Sequence, residues 1–220
     1  MTERYGQSTD GTEKSDTGEA DVTATLDPAT HARPRLLDLE ANLPEAYQKA
    51  EIVEGALLMS PLLFVHNMTL HRLMTQLDEQ LPEHLLYTSN VLTPFPAEDH
   101  EFCPDIAVVP REVAESNRPV TSPSVIDVVV EIVSKSTRHV DYDVKVGVYV
   151  RAGIPEYLIF DPYSREVTRY AEPQGGKYEQ HGVIAYGNPV QLGMDYPLVF
   201  RTAGLPVDPE PGPRAADSPA

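Results

Sequence analysis

The run Asp127 to Val133 (DVVVEIV) is apolar at nearly every position, with one acid inside it. A strand with one wet face alternates apolar and polar residues; this one does not, so it reads as a central strand covered on both faces. Tyr157 to Phe160 reads as the next central strand. Between the two, Ser134 to Thr137 supplies capping hydroxyls. Asp141 to Ala152 (DYDVKVGVYVRA) then has helical spacing, stopped by Gly153 and Pro155. A strand, a helix and a second strand in that order imply layers around a sheet.

Other segments extend the pattern. Glu51 to Met59 (EIVEGALLM) reads as a strand pair with a tight turn at Glu54-Gly55, broken at Ser60-Pro61. His66, Leu70, Leu73, Leu77 and Leu81 share one face of a helix from about Val65 to Leu81, ended by Pro82. Leu85 to Leu92 and Ile106 to Val109 read as strands, and Val167 to Tyr170, Gly175-Gly176 and Lys177 to Tyr178 as a hairpin. The expected fold class is α/β (α+β), a central mixed β-sheet flanked by helices.

Both ends differ in composition from the middle. Residues 1–34 are polar and acidic with few large apolar groups, so a disordered tail is expected there. Residues 206–220 carry five prolines and read as an extended tail, leaving 35–205 as one domain. The net charge of -17 argues against a generic nucleic-acid binder, since phosphate affinity comes mainly from Lys and Arg. A local groove and bound cations could still bridge two anions. Cys103 is the only cysteine, which excludes a disulfide within the chain and a cysteine zinc cluster. With no membrane-length apolar run and no basic-then-apolar leader, a cytoplasmic protein away from membranes is expected.

The acid inside the central strand poses the chemical question. Ionised Glu131 in so apolar a setting requires a cation or a hydrogen-bond network. Asp105 opens the strand Ile106 to Val109 directly after Pro104, which lacks an N–H and marks a place where sheet pairing begins. Two acids on neighbouring strands offer oxygen ligands to a hard divalent cation, Mg2+ or Mn2+. Strand alternation places Glu131 and Val133 on one face and turns the Ile132 side chain away, with the Ile132 carbonyl near the metal. A PD-(D/E)xK nuclease carries lysine two residues after its second acid, where this chain has Val133. Lys145 is the candidate substitute, because Asp141, Lys145 and Tyr149 share a helix face. Glu51 is a further candidate metal or water ligand.

These residues carry a resemblance. The run EIVSKSTRHVDYDVKVGVYVRAGIPEYLIFDP (131–162), CPDIAVV (103–109) and EIVEGALLMSP (51–61) followed by His66 resemble the Uma-two family of restriction-endonuclease-like proteins. Membership implies a restriction-endonuclease-like core in which the lysine has moved onto the helix, here Asp105, Glu131 and Lys145. It implies DNA as substrate and metal-assisted phosphodiester hydrolysis, the cation activating water and Lys145 meeting developing charge. Two positions depart from the family pattern: Ala56 stands where an acid is usual after the glycine, and Lys135 where proline is usual. The alternative is a nuclease-fold binding or assembly module that does not cut. A twofold homodimer would suit cleavage of two strands, on symmetry alone.

The remaining candidates have plainer readings. His66 would open or cap its helix, Tyr149 would pack in the core with its hydroxyl at the site rim, and Asp161-Pro162 would end a strand. Ser134, Ser136 and Thr137 read as caps, and Cys103 as a structural thiol.

Overall fold

The computed structural model describes Leu36 and residues 49–60, 63–135 and 137–209. The expected tail at 1–34 lies outside these residues, as does most of the one at 206–220. Near the latter's start the Asp208 N–H donates to the Pro162 carbonyl at 3.1 Å.

Six strands form the main sheet, in the order β10-β9-β8-β7-β6-β3. They are β3 (Leu85–Thr88), β6 (Ile106–Pro110), β7 (Val128–Ile132), β8 (Glu156–Asp161), β9 (Glu166–Gln174) and β10 (Lys177–Ala185). Only β7 and β8 run parallel; the other neighbours are antiparallel, so the sheet is mixed as expected. A parallel pair cannot be joined by a tight turn. The crossover here is a π-helical turn, Val140–Val144, running into the α-helix Lys145–Arg151, labelled α3. Gly153 ends it in the left-handed region (φ 77), with the Ile154 N–H reaching back to the Tyr149 carbonyl at 3.1 Å.

Every residue of β7 and β8 is buried. Alternation along β7 sends Val128, Val130 and Ile132 to one side, where they pack with Leu73 and Leu77 of α1 (Phe64–Gln80), Leu158 and Phe160. Ribbon strands β11 (Val190–Gln191) and β12 (Val199–Phe200) close that side with Val190 and Phe200. Val129 and Val133 point the other way, onto Val148 and Tyr149 of α3.

A smaller sheet, β2-β1-β5-β4, adds Phe95 and Phe102 to the α3 side. It comprises β1 (Lys49–Val53), β2 (Ala56–Ser60), β4 (Thr93–Phe95) and β5 (His100–Phe102). The β1–β2 turn sits where Glu54-Gly55 predicts it, with both residues at positive φ (49 and 78), as a tight two-residue hairpin requires. A Cβ on Gly55 would also come within 2.9 Å of the Asp99 carboxylate.

Three details differ from the sequence reading. The strand expected over Leu85 to Leu92 stops at Thr88, because Asn90 turns left-handed and gives its N–H to the Pro104 carbonyl. Strands β4 and β5 and the short helix α2 (Arg111–Glu115) are additional; three to five residues carry too little periodicity to announce an element. Helix α1 itself runs as expected, with Leu73 and Leu77 fully buried.

Leu73→Ala is expected to cost about 2–5 kcal/mol in urea unfolding, the range for emptying a packed leucine site. Phe64→Ala, at the first residue of α1 and 79% exposed, should change stability by less than about 0.5 kcal/mol.

Candidate active site

The β6–β7 register (Ile106 opposite Val130, Ala107 opposite Val129) extends by one residue to put Asp105 opposite Glu131. Both acids share the parity of Ala107, Val109, Val129 and Val133, so they rise on the α3 side of the sheet. Neither is solvated. Asp105 Oδ2 accepts the Ile132 N–H at 2.7 Å and lies 3.0 Å from His66 Nε2 on α1. Glu131 Oε1 accepts the Tyr149 hydroxyl at 3.0 Å and meets Lys145 Nζ at 2.8 Å. The remaining oxygens, Asp105 Oδ1 and Glu131 Oε2, converge on one atom, the Nζ of Lys49, at 2.8 and 3.0 Å.

Lys145 arrives from α3 as its sequence position predicts, and it is far from an ordinary surface helix residue, with a side chain only 1% exposed. Besides Glu131, its ammonium touches Glu51 Oε1 and Asp141 Oδ1, each at 3.2 Å, and lies 5.5 Å from the centre of the Phe102 ring. Glu51 Oε1 also accepts the Cys103 N–H at 2.9 Å. Glu51 therefore joins the cluster by way of Lys145. For Ile132, the contact shown is its N–H on Asp105. Ala56 is exposed at the turn end of the β1–β2 hairpin, while Lys49 pairs with Ser60 at the other end.

Four carboxyl groups (Glu51, Asp105, Glu131, Asp141) thus face two ammonium groups (Lys49, Lys145) in a buried volume. Burial would push Asp105 up, but the Lys49 charge and the His66 contact outweigh it and hold its carboxyl well below the usual carboxylate range. Asp141 goes the other way. Its burial, with repulsion from Glu131 and Glu51, overcomes the attraction of Lys145 and pushes it up to about 7. Burial pulls Lys145 down, yet Glu131, Glu51 and Asp141 raise it well above the usual lysine value, so it remains an ammonium at any physiological pH. It is a fixed charge and donor here, unsuited to taking up a proton. Burial, with Glu51 next, pushes the Cys103 thiol up to about 12, which fits an inert structural cysteine.

The donor set suits a hard cation: two carboxylate oxygens on adjacent strands already meet at a single positive atom. That atom is the Lys49 ammonium. Among the described residues no three His, Cys, Asp or Glu side chains gather tightly enough to hold a metal ion by themselves, so a bound ion would draw further ligands from backbone, water or substrate.

Sequence reasoning passed over one member of this cluster, Lys49, and read another, His66, as opening or capping its helix. Lys49 precedes Glu51 by two residues on a strand and so shares its face, a signal available from alternation alone. His66 was legible as a helix residue, but nothing local links it to Asp105, 39 residues away. Asp161 behaves as read, its Oδ1 accepting the N–H groups of Tyr163 and Ser164 where the strand ends.

A mixed sheet with a helix against each face is an α+β fold with a restriction-endonuclease-like core. The chain belongs to the Uma2 family, described as "Putative restriction endonuclease", whose profile matches residues 34–207. Among solved structures it is similar to "a putative nuclease belonging to DUF820" from Anabaena variabilis ATCC 29413. That likeness has a TM-score of 0.57 and 20% sequence identity, over 71% of this chain and 88% of the other. A likeness at that identity speaks for the fold. A search of the curated proteins finds no match. Among the described residues no helix is long and apolar enough to cross a membrane.

Stability depends on pH through Asp141. Between its ordinary value of about 3.9 and about 7, the folded chain binds a proton that the unfolded chain has released, so this residue's contribution to stability falls as pH rises through that window. Calorimetric melting from pH 4.5 to 7.5 should show the fall, at most about 1.4 kcal/mol per pH unit from one group. Asp141→Asn should flatten it.

Proposed function

We propose that the chain is a metal-dependent endonuclease that hydrolyses phosphodiester bonds in DNA with Mg2+ or Mn2+. The observation that carries this reading is the convergence of Asp105 Oδ1 and Glu131 Oε2 on one cationic atom, beside a buried Lys145. Family membership agrees with it.

Asp105 and Glu131 would hold the ion, with the Ile132 carbonyl as its backbone ligand. A divalent cation, when bound, polarises a non-bridging phosphate oxygen and makes a nearby water a stronger nucleophile. The protein's own share is orientation and charge. The Ile132 N–H and His66 fix one oxygen of Asp105, and Tyr149 with Lys145 fixes one oxygen of Glu131, so each acid has one oxygen left to aim at the ion. Lys145, permanently charged, stabilises negative charge as it builds on the phosphate. Glu51 and Asp141 position that ammonium from two sides.

The net charge of -17 makes the cation's part larger, since few basic residues offset phosphate repulsion. Cleavage should therefore vanish in chelator and fall only shallowly with salt, because few lysine or arginine contacts release counterions.

Purified protein given plasmid, linear and single-stranded DNA should cut in Mg2+ or Mn2+. Asp105→Asn and Lys145→Met, checked for folding by circular dichroism, should each lose on the order of 100-fold or more in rate, as removal of one transition-state contact does. Cleavage that persists unchanged in both variants would rule the assignment out. Metal binding without any cleavage would instead leave a nuclease fold kept for binding or assembly.

A further inference from the structure

The acid pair already holds a cation, and that cation belongs to the chain. On the metal-dependent reading of the site, on which this inference rests, we propose that Lys49 is an internal competitor for the divalent ion: its ammonium keeps Asp105 and Glu131 assembled without metal and is displaced when metal binds.

The division of oxygens supports this. Asp105 Oδ2 and Glu131 Oε1 are held by the scaffold, through Ile132 and His66 in one case and Tyr149 and Lys145 in the other. Asp105 Oδ1 and Glu131 Oε2, the oxygens a metal would take, both go to Lys49. An ammonium and a metal ion cannot occupy that point together.

The two lysines are built differently. Lys145 has three carboxyl partners and lies almost wholly inside, so it keeps Glu51 and Asp141 when Glu131 changes partner. Lys49 comes from the first residue of β1, in the smaller sheet, and among the described residues its ion pairs are with these two acids. Its side chain is 9% exposed against 1% for Asp105, Glu131 and Lys145. A long flexible stem based at the end residue of β1 can withdraw where Lys145 cannot.

The charges favour the exchange. Four carboxyl groups face two ammonium groups, and replacing one ammonium by a divalent ion adds a positive charge where the balance is short. Without any cation at that point, two buried carboxylates on adjacent strands would repel one another through a medium of low dielectric. Lys49 thus stabilises the metal-free fold while reducing metal affinity, as any ligand does that competes for one site.

The test is calorimetric titration of Mn2+ into wild type, Lys49→Met and Asp105→Asn, with melting temperatures in chelator and in Mn2+. Lys49→Met should bind Mn2+ at least about tenfold tighter than wild type, melt lower in chelator, and gain more from Mn2+, by the linkage of binding to stability. Asp105→Asn should lose binding. Equal affinities in wild type and Lys49→Met would leave the metal reading standing and remove the role of Lys49. Absence of binding in both would remove the metal reading and this inference with it. Should Lys49→Met fail to fold, wild type decides: reductive methylation read by mass spectrometry should spare Lys49 in chelator and modify it in Mn2+. Protection of Lys49 that Mn2+ does not change, under conditions where Mn2+ binds through Asp105, overturns the proposal.

Discussion

A carboxylate in the middle of a fully buried strand is the constraint that the surrounding structure answers. Glu131 stands in β7 among residues that are apolar and enclosed, where an unpaired charge would cost several kcal/mol. The chain meets it from three directions: Lys145 and Tyr149 from the crossover helix, Lys49 from the smaller sheet, and Asp105 on the neighbouring strand as the second acid sharing Lys49. Each of those side chains then imposes a position on its own element. The crossover after β7 must return a lysine and a tyrosine to the strand it has just left. The β1 strand must lie close enough for one lysine stem to span the gap.

This explains where the fold departs from regular geometry. The crossover begins with a π-helical turn, in which the Lys145 N–H reaches the Val140 carbonyl five residues back. Such turns change the phase of a helix by one residue, and they recur at functional sites because a side chain needs aiming. Here Asp141 lies in the widened turn and Lys145 begins the regular helix, with their charged ends 3.2 Å apart. Tyr157 on β8 binds the Asp141 carbonyl at 2.9 Å and packs edge-on against Tyr149, tying the turn to the next strand.

What could be read in the sequence follows from the range of the signals. The central strands, α1 and the Glu54-Gly55 turn are announced by local periodicity and turn chemistry, and they occur where those signals lie. Asp105 and Glu131 are legible because acids next to or inside apolar strands demand an explanation. Lys145 is legible as a charge at helical spacing, while its burial among three acids shows only in the fold. Contacts across sheets stayed hidden. Lys49 to Glu131 spans 82 residues and His66 to Asp105 spans 39, and no short-range pattern encodes either distance. Strands β4 and β5, which bring Phe102 beside Lys145, are too short to show alternation.

Residues that hold the site together differ from those that would act in it. Removing a partner from a buried ion pair is costly whether or not the pair does chemistry, so lost activity in a Lys145 variant is ambiguous without a folding measurement. The asymmetry of the oxygens is more discriminating. A purely structural network would gain by satisfying each acid within its own layer, yet both acids reserve one oxygen for a single cation drawn from a separate sheet. In a chain of net charge -17, an arrangement that gathers four carboxyl groups around two lysines raises the electrostatic cost of the metal-free state. On the proposed reading, a bound divalent ion would relieve that cost at the point where Lys49 now sits, which would make the acid pair a cation site that the protein keeps filled from its own sequence.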